Sequence, residues 1–460
     1  MFKSLIGDKI FYKRLMSLAL PIMVQTGITN LVNMVDNIMV GSIGNSEMTG
    51  VAIANQLLFV FNLCVFGACS GAGIFGAQFY GKRDHSGVRD TFRFRFMFCL
   101  GFAVVAICLF LFGGDALINL YLKGEGSPES AAASLAFGEK YLHIMLIGLV
   151  PYTIAQSYSS ILRECDHSLP PMLAGVCAVA VNLCLNYVLI FGKFGAPRLG
   201  VAGAAIATVI SRYIELIVVA GWTHIRRDVN KFIVGAYRSM RVPISLVGNI
   251  MRKGMPLMLN EALWSFGIAF INQCLSVRGQ NVVAANNISQ TFWNVFSVAF
   301  LSFGTSIGII LGHMLGRGEL EKVKPECRKL TAFTVSLSVV VAAIYIPLSY
   351  SIPNIYNSTA EIKELATRLM IISAVAMPID AFAHSTYFTL RSGGKTFITF
   401  LFDSGFVWCI SMPIAFILSR YTQLDILTLF AITQFVNIFK CILGGYLVHK
   451  GSWIRNIVSE

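Results

Sequence analysis

The sequence predicts an all-α integral membrane protein in which twelve transmembrane helices form two six-helix bundles related by a parallel internal repeat. Two observations support this fold class: the composition, and a second half of the chain that resembles the first. Of the 460 residues, 56% are hydrophobic and 13% are charged, which is far from the composition of a soluble domain. Such a chain is expected to cross a bilayer many times.

Twelve apolar runs of about 20 residues, separated by short polar breaks, account for the predicted helices. A run of this length crosses a hydrocarbon core of roughly 30 Å as an α-helix, which satisfies its own backbone hydrogen bonds in lipid. The expected spans are 14–40, 51–79, 93–113, 136–160, 169–192, 200–223, 250–277, 283–311, 329–351, 363–389, 396–418 and 425–448. No polar break is long enough to form a separate folded domain outside the membrane.

The first parts of the two halves match at a constant offset, which slips by a few residues later in the chain. The segment "ALPIM" from residue 19 corresponds to "GMPLM" from residue 254, and the same offset relates Gly81 to Gly316. Equivalent boundaries carry equivalent charge, so the halves are expected to cross the membrane in the same direction. The expected domains are an N-terminal six-helix lobe at 1–223, a cytoplasmic linker at 224–249 and a C-terminal six-helix lobe at 250–460.

Lys and Arg residues predict the orientation in the membrane. Of the 36, 26 lie at one set of boundaries and eight at the alternating set. Because the side rich in Lys and Arg is cytoplasmic, both termini are expected inside the cell, with the protein in the plasma (inner) membrane. Topology and attraction to anionic membrane lipids explain the net charge of +13, so no nucleic-acid partner is expected.

Sequence patterns of ATP-driven and hydrolytic enzymes are missing. The chain contains no GxxxxGK[ST], HExxH or GxSxG pattern, and its eleven cysteines show no CxxC pair or metal-ligand spacing. We therefore expect neither an enzyme nor a bound cofactor. Transport by such a chain would be driven by an ion gradient or be passive.

Polar residues in the first, fifth and sixth spans predict a cation-coupling site. Ionisable residues inside spans are costly and usually functional, and Asp36 is the only acid in the first span. Asn182 and Asn186 lie at i and i+4 and share a helix face, while Thr208 adds an oxygen. Together they would hold a proton, or a sodium ion with Asp36 as its carboxylate ligand. The alternatives are an interfacial position for Asp36 and interhelical hydrogen bonding for the asparagines.

Acids and aromatic residues in the second half predict a substrate cavity. Glu261 follows Pro256, and Asp380 follows Pro378, so each acid lies near a proline that frees a backbone carbonyl. An anionic cavity with aromatic walls suits lipophilic organic cations through charge pairing and cation–π contact. The aromatic candidates are Trp264, Trp293 and Tyr387. The alternative for each aromatic is a lipid-facing or interfacial position, and the two acids would either couple to an ion or only attract substrate.

Several motifs, in their order along the chain, resemble the multidrug and toxic compound extrusion (MATE) family. They are "DNIMVGSIG" after the first-span proline, "GAQFYGKRD" with its echo "GHMLGRGE", "NLCLNYVLIFG", "GVAGAAIAT" and "LRSGGKT". The resemblance covers nearly the whole chain. It implies two six-helix bundles in a V, secondary active efflux of organic cations and other amphiphilic drugs by antiport against protons or sodium ions, and alternating access by rocking of the lobes.

The resemblance carries over position by position. Asp36 matches the family's first-span acid, Asn182 its fifth-span Asn and Thr208 its sixth-span Thr. Asn186 stands where many members have a second acid, which leaves proton or sodium coupling open. Lys395 stands where the family commonly has an Asp, and Glu261 lies about one turn earlier than the coupling acid of some relatives.

The expected mechanism is a change in the charge of Asp36 that bends or repacks helices at two hinge prolines, Pro21 and Pro256. A monomer is expected. The alternative function is a lipid-linked oligosaccharide flippase, which would require a cationic cavity for pyrophosphate.

Overall fold

The computed structural model describes residues 5–122, 128–356 and 358–459. Within these residues, twelve helical segments are long and apolar enough to cross a membrane, which confirms the predicted number of spans. The first ten spans lie in the helices α1 (Lys9–Gly41), α2 (Asn45–Gly81), α3 (His85–Leu122), α4 (Pro128–Glu164), α5 (Leu169–Phe191), α6 (Val201–Ile225), α7 (Ile244–Ser276), α8 (Gln280–Gly316), α9 (Leu320–Ser349) and α10 (Ala360–Ser392).

The last two spans are each assembled from two helices. The eleventh, Thr396–Tyr421, joins α11 (Thr396–Phe400) to α12 (Met412–Tyr421) through two π-helical segments, Leu401–Gly405 and Val407–Ser411. The twelfth, Ile426–Lys450, consists of α13 (Ile426–Phe435) and α14 (Asn437–Lys450). Wide helical turns of the π type occur frequently at functional sites.

Most helices extend beyond the predicted apolar runs. The clearest case is α3, predicted at 93–113 and observed at His85–Leu122. Its first turns carry basic and polar residues, which end an apolar run but do not end a helix. The helices therefore continue past the hydrocarbon thickness that the apolar runs measure.

The two halves share the geometry of an equivalent turn. After α2, Arg83 adopts a positive φ of 63°, and after α8, Gly318 adopts a φ of 76°. The N–H of Asp84 and the N–H of Glu319 each donate to the carbonyl five residues earlier, at 2.9 and 3.1 Å. This is one helix-terminating motif at the matching position of both copies, as an internal duplication requires.

The chain folds into two compact units. The C unit consists of Met1–Met23, Ala77–Asp84 and Met251–Glu460, and the N unit of Val24–Gly76 and His85–Ile250. These units follow residue contacts, whereas the lobes 1–223 and 250–460 follow the sequence repeat and stay a prediction.

Tight helix contacts and paired hydroxyl groups hold the N unit together. A Cβ added at Gly50 of α2 would lie 2.7 Å from the backbone nitrogen of Gly138 in α4, so these two backbones approach too closely for a larger residue. Buried hydroxyls such as those of Ser157 and Thr223 donate to carbonyls one turn earlier, at 2.9 and 2.7 Å. Small residues and paired polar groups are what helix packing in lipid requires.

The C unit contains two hydrophobic clusters. In one, Leu15 and Leu18 of α1 pack with side chains of α8, α9 and α10 and with Trp453, which is fully buried beyond the end of α14. The other cluster is centred on Phe300 and Tyr345. These clusters fix the helices that carry the polar groups described below.

Candidate functional site

The four predicted cation-coupling residues meet inside the N unit. Asp36 of α1 accepts a hydrogen bond of 2.7 Å from Nδ2 of Asn186. The same Nδ2 lies 3.2 Å from Oδ1 of Asn182, whose Nδ2 lies 3.3 Å from Oγ1 of Thr208. The spacing of one turn within α5 places both asparagines on the face that meets α1 and α6.

Hydrogen bonding favours the opposite orientation of the Asn182 amide. After a 180° turn, its nitrogen donates to both oxygens of Asp36, at 3.2 and 3.0 Å, and its oxygen accepts from the Thr208 hydroxyl at 3.3 Å. In this orientation two amide NH₂ groups face the Asp36 carboxylate. Such donors match an ionised carboxylate, which accepts hydrogen bonds and has none to donate.

One acceptor in this cluster is buried without a partner. Asn182 and Asn186 are only 5% and 1% exposed, and Oδ1 of Asn186 forms no hydrogen bond with any described residue. A buried acceptor left in this state costs about 1–3 kcal/mol. Among the residues that the structure covers, no group of three or more His, Cys, Asp or Glu could hold a metal ion. A sodium ion here would therefore depend on neutral oxygens besides Asp36.

A basic side chain inside the sixth span is neutralised locally. Nη1 of Arg212 lies 3.4 Å from Oε2 of Glu215, one turn along α6. The guanidinium carbon of Arg212 also lies 4.7 Å from the ring centroid of Tyr152, a cation–π distance. The N unit thus offers no free cationic group at this position.

In the C unit, a hydrogen-bonded chain begins at the predicted residues Glu261 and Tyr387. The Tyr387 hydroxyl donates to Oε1 of Glu261 at 3.1 Å and accepts from Nδ2 of Asn260 at 3.3 Å. Asn260 also donates to Oδ2 of Asp403 at 2.9 Å. Two acids of different helices are therefore linked through one amide and one phenol.

The chain ends at an ion pair between Asp403 and Lys440. The Lys440 ammonium also lies 5.2 Å from the ring centroid of Phe402. Both charged side chains are largely buried, with 14% and 11% exposed. Charges at such depth in a membrane helix are rare unless they are paired, and they frequently mark a functional region.

Asn260 connects α7 to the π-helical part of the eleventh span. Its Oδ1 accepts from the backbone N–H of Ser404 at 3.2 Å. The Ser404 hydroxyl, which has one proton to donate, lies 2.8 Å from both this Oδ1 and the backbone carbonyl of Asn260. With its two donated bonds, the Asn260 amide is fully satisfied and 0% exposed. The π-helical turn thereby holds Asp403 in place for Lys440.

The remaining predicted cavity residues form no hydrogen bond with this chain among the described residues, although Asp380 lies close enough to Lys440 to interact with it electrostatically. Asp380 accepts a 3.2 Å hydrogen bond from Nδ2 of Asn437. Trp293 packs edge-on against Phe300 at 6.5 Å, next to a hydrophobic cluster, and Trp264 is exposed. Within the described part of the chain, neither tryptophan contacts the acids through a hydrogen bond or ring contact, so the predicted aromatic cavity is assembled only at Tyr387.

The two predicted hinge prolines lie inside continuous helices. Pro21 is in α1 and Pro256 in α7, and each helix extends well beyond its proline on both sides. Their role as hinges stays a prediction.

Sequence reasoning missed Asn260, Asp403 and Lys440. Asp403 and Lys440 are ionisable residues inside predicted spans, and this rule, applied to every span, would have selected both. Asn260 offered no such signal, because an amide beside an acid has no distinctive spacing.

A second buried ion pair in the N unit was also missed. Nη2 of Arg95 lies 2.9 Å from both oxygens of Glu164, and the side chains are 0% and 8% exposed. Gly73 and Gly76 of α2 make room for this carboxylate, since a Cβ at Gly73 would lie 2.7 Å from Oε1 of Glu164. Arg95 is one of the 26 Lys and Arg residues that the sequence assigns to the cytoplasmic boundaries, but its side chain is buried inside the N unit.

A membrane-spanning helical protein with a duplicated half and paired polar groups inside its spans is a transporter by class. The chain belongs to the MatE family, whose model matches residues 21–188 and again 256–417. The two matches coincide with the two copies of the repeat. Members of this family are transporters and not enzymes, as the sequence predicted.

Two relatives that align with nearly the whole chain are named multidrug resistance proteins. A probable multidrug resistance protein NorM of Thermotoga maritima is 27% identical over 454 residues, covering 97% of this chain and 94% of the relative. The multidrug resistance protein MdtK of Edwardsiella ictaluri is 24% identical over 423 residues, covering 90% and 88%.

Solved structures share the fold. A MOP superfamily transporter from Pyrococcus furiosus, described as having a binding pocket of reverse polarity, matches with a TM-score of 0.86 at 20% identity, covering 98% of both chains. A MATE family transporter in an outward-facing conformation matches with a TM-score of 0.84 at 20% identity, again covering 98% of both chains. The predicted fold class of two helical bundles is confirmed.

Proposed function

We propose that this protein exports lipophilic organic cations and other amphiphilic toxic compounds by antiport, with alternating access between the lobes 1–223 and 250–460. The names of its relatives support multidrug efflux. The observation that carries the proposal is the cluster of Asp36, Asn182, Asn186 and Thr208, in which both asparagines are buried and Asp36 and Thr208 are partly buried. A single carboxylate among amides can change charge inside the membrane, as ion-driven transport requires.

We further propose that the coupling ion is a proton held by Asp36. The amide nitrogen of Asn186 contacts the carboxylate, and the amide of Asn182 does so in its favoured orientation. A sodium ion would need the amide oxygens in these places, because hard cations bind several oxygens. A proton needs only the carboxylate itself.

In this mechanism a proton enters from outside and neutralises Asp36, which weakens its hydrogen bonds to α5. The region of Pro21 then repacks, and cargo is released outward. In the C unit, Glu261 and Asp380 provide negative charge for a cationic cargo. Pro256 serves as the equivalent hinge.

Membrane orientation is part of the proposal. Both termini are cytoplasmic, which the distribution of Lys and Arg supports, and the protein acts in the plasma membrane as a monomer.

The flippase alternative requires a cationic cavity for pyrophosphate. Among the described residues, Arg212, Arg95 and Lys440 are cations inside spans that are each paired with an acid. Arg391, which is 8% exposed near the end of α10, forms no ion pair with a described residue and lies over the ring of Phe388. A pyrophosphate group would have to break an ion pair at three of these four sites.

The test is uptake of a fluorescent organic cation into everted membrane vesicles under a pure pH gradient and, separately, a pure sodium gradient. We expect uptake driven by an acidic lumen, its loss in Asp36→Asn, and normal uptake in Glu364→Gln, a control at an exposed acid. Uptake driven only by sodium would contradict the proton. Absence of uptake under both gradients would contradict efflux and favour the flippase.

A further inference from the structure

A cavity of about 490 Å³ lies in the C unit between α9, α10 and α14. One end is lined by three basic residues, Lys324 and Arg328 of α9 and His449 of α14. From α10, the helix that carries Asp380 and Tyr387, only Phe382 and Thr386 line this cavity. None of the proposed transport residues lines it.

Lys324 and Arg328 bring uncompensated positive charge to the basic end of the cavity. None of Lys324, Arg328 and His449 has a hydrogen-bond or ion-pair partner among the described residues, and no acid lines the cavity there. By contrast Lys329, on the same helix, lies 3.5 Å from Oε2 of Glu326. The cavity therefore presents its charge to a ligand rather than to another side chain.

The lining changes from charged to apolar along the helix axis. Lys324, Arg328, Thr331 and Val335 lie on one face of α9 at steps of three or four residues, starting in its second turn. At 1.5 Å per residue, Lys324 and Val335 are separated by about 16 Å, roughly half the hydrocarbon thickness. A ligand that fills the cavity must therefore be anionic at the membrane boundary and apolar inside.

The helices around the cavity are exposed to lipid. Val340 of α9 is 55% exposed, and Ile442 and Tyr446 of α14 are 65% and 62% exposed. In a membrane-spanning helix, exposed apolar side chains of this size face hydrocarbon chains. The cavity thus lies between helices that carry lipid-facing residues.

We propose that this cavity is a binding site for an anionic phospholipid. Lys324, Arg328 and His449 contact the phosphate of the head group, and the Thr331 hydroxyl donates to one of its oxygens. An acyl chain lies against Val335 and Phe382. The site is at the boundary rich in Lys and Arg, where basic side chains attract anionic lipids.

The experiment is native mass spectrometry of the full-length protein in detergent, titrated separately with phosphatidylglycerol, phosphatidylcholine and glycerol 1-phosphate. We expect saturable binding of phosphatidylglycerol and much weaker binding of the other two. Lys324→Ala/Arg328→Ala should weaken phosphatidylglycerol binding roughly 30-fold, the factor for two basic side chains at a membrane surface.

Two further variants separate the cavity from general attraction. Lys322→Ala/Lys329→Ala removes the same charge from the same helix but does not line the cavity, so binding should be unchanged. Gly445→Leu fills the apolar end without changing charge, and its Cβ has room because the nearest atom of Phe382 lies at 3.7 Å. It should also weaken phosphatidylglycerol binding.

Binding of phosphatidylcholine as tight as that of phosphatidylglycerol would overturn the proposal. An equal loss of phosphatidylglycerol binding in Lys324→Ala/Arg328→Ala and in Lys322→Ala/Lys329→Ala would also overturn it. Binding of glycerol 1-phosphate as tight as that of phosphatidylglycerol would show a site for a free anion instead of a lipid. All these readouts are independent of transport, so failure of the proposed efflux would leave this test intact.

Discussion

Removal of one charge from the buried pair Arg95–Glu164 should destabilise the N unit far more than removal of both. Nη2 of Arg95 lies 2.9 Å from each oxygen of Glu164, and the two side chains are 0% and 8% exposed. Breaking a buried pair by removing one partner costs about 3–5 kcal/mol, because the other charge stays buried without compensation. Arg95→Met should therefore lower the free energy of unfolding by about 4 kcal/mol, roughly a thousandfold in the folding equilibrium.

The double variant Arg95→Met/Glu164→Gln should recover most of this loss. It leaves no uncompensated charge, and replacing a buried ion pair by groups of similar volume is often close to neutral. We expect its free energy of unfolding to lie within about 2 kcal/mol of the original protein, which makes the coupling between the two substitutions large and positive. The assay is denaturation in mixed detergent micelles, followed by tryptophan fluorescence and circular dichroism.

An exposed ion pair provides the control. Nη2 of Arg368 lies 2.5 Å from Oε1 of Glu364, but the side chains are 57% and 65% exposed. Such a pair on a helix surface contributes only about 0.3–0.5 kcal/mol. The reasoning is refuted if Arg95→Met costs no more than Arg368→Met, or if the double variant costs the sum of the two single variants.

Three further predictions concern other sites. Asn186→Asp places a second carboxylate in the Asp36 cluster and should create sodium-dependent thermal stabilisation; an unchanged melting temperature in sodium would contradict this. Lys440→Met should lower the free energy of unfolding in mixed micelles by about 3–5 kcal/mol, because Asp403 loses its partner. Adding Asp403→Asn should restore part of this loss, and additive losses would contradict the ion pair. Hydrogen bonds from the Thr428 hydroxyl and from backbone N–H groups lower the pKa of Asp425, the N-cap residue of α13. This stabilisation is present above the ordinary pKa of an Asp and is lost as pH falls through the lowered value, so Asp425→Ala should destabilise at neutral pH and not in strong acid; an equal effect at both pH values would contradict the cap.

The membrane spans were predictable because apolar length alone selects them. Hydropathy located each of the twelve spans. It detects the apolar part of a helix that lies in the hydrocarbon core and not the full length of the helix, so α3 was predicted too short at both ends. The π-helical segments at Leu401–Gly405 and Val407–Ser411 could not be predicted, since nothing in local propensity specifies them. They depend on contacts such as those between Ser404 and Asn260.

The candidate site was predictable only in part. The spacing of Asn182 and Asn186 placed them on one helix face, and Asp36 was selected as the only acid in the first span. Their contact, however, depends on helix packing that the sequence does not display. Lys440 and Asp403 lie 37 residues apart in different spans, so no periodicity relates them. Among the described residues, Trp293 and Trp264 form no hydrogen bond or ring contact with the predicted acids. An aromatic residue in a membrane helix can pack in many apolar surroundings, so its presence in a span does not predict a cavity.

The central claim is that Asp36 gives up its proton when an organic cation binds. The direct measurement is proton release from the purified transporter in weakly buffered detergent solution, followed with a pH-sensitive dye as a lipophilic cation is added, for the original protein and for Asp36→Asn. The account predicts about one proton released per transporter, and none from the variant even when the cation still binds. Equal release from both proteins, or binding without release in the original protein, would contradict it.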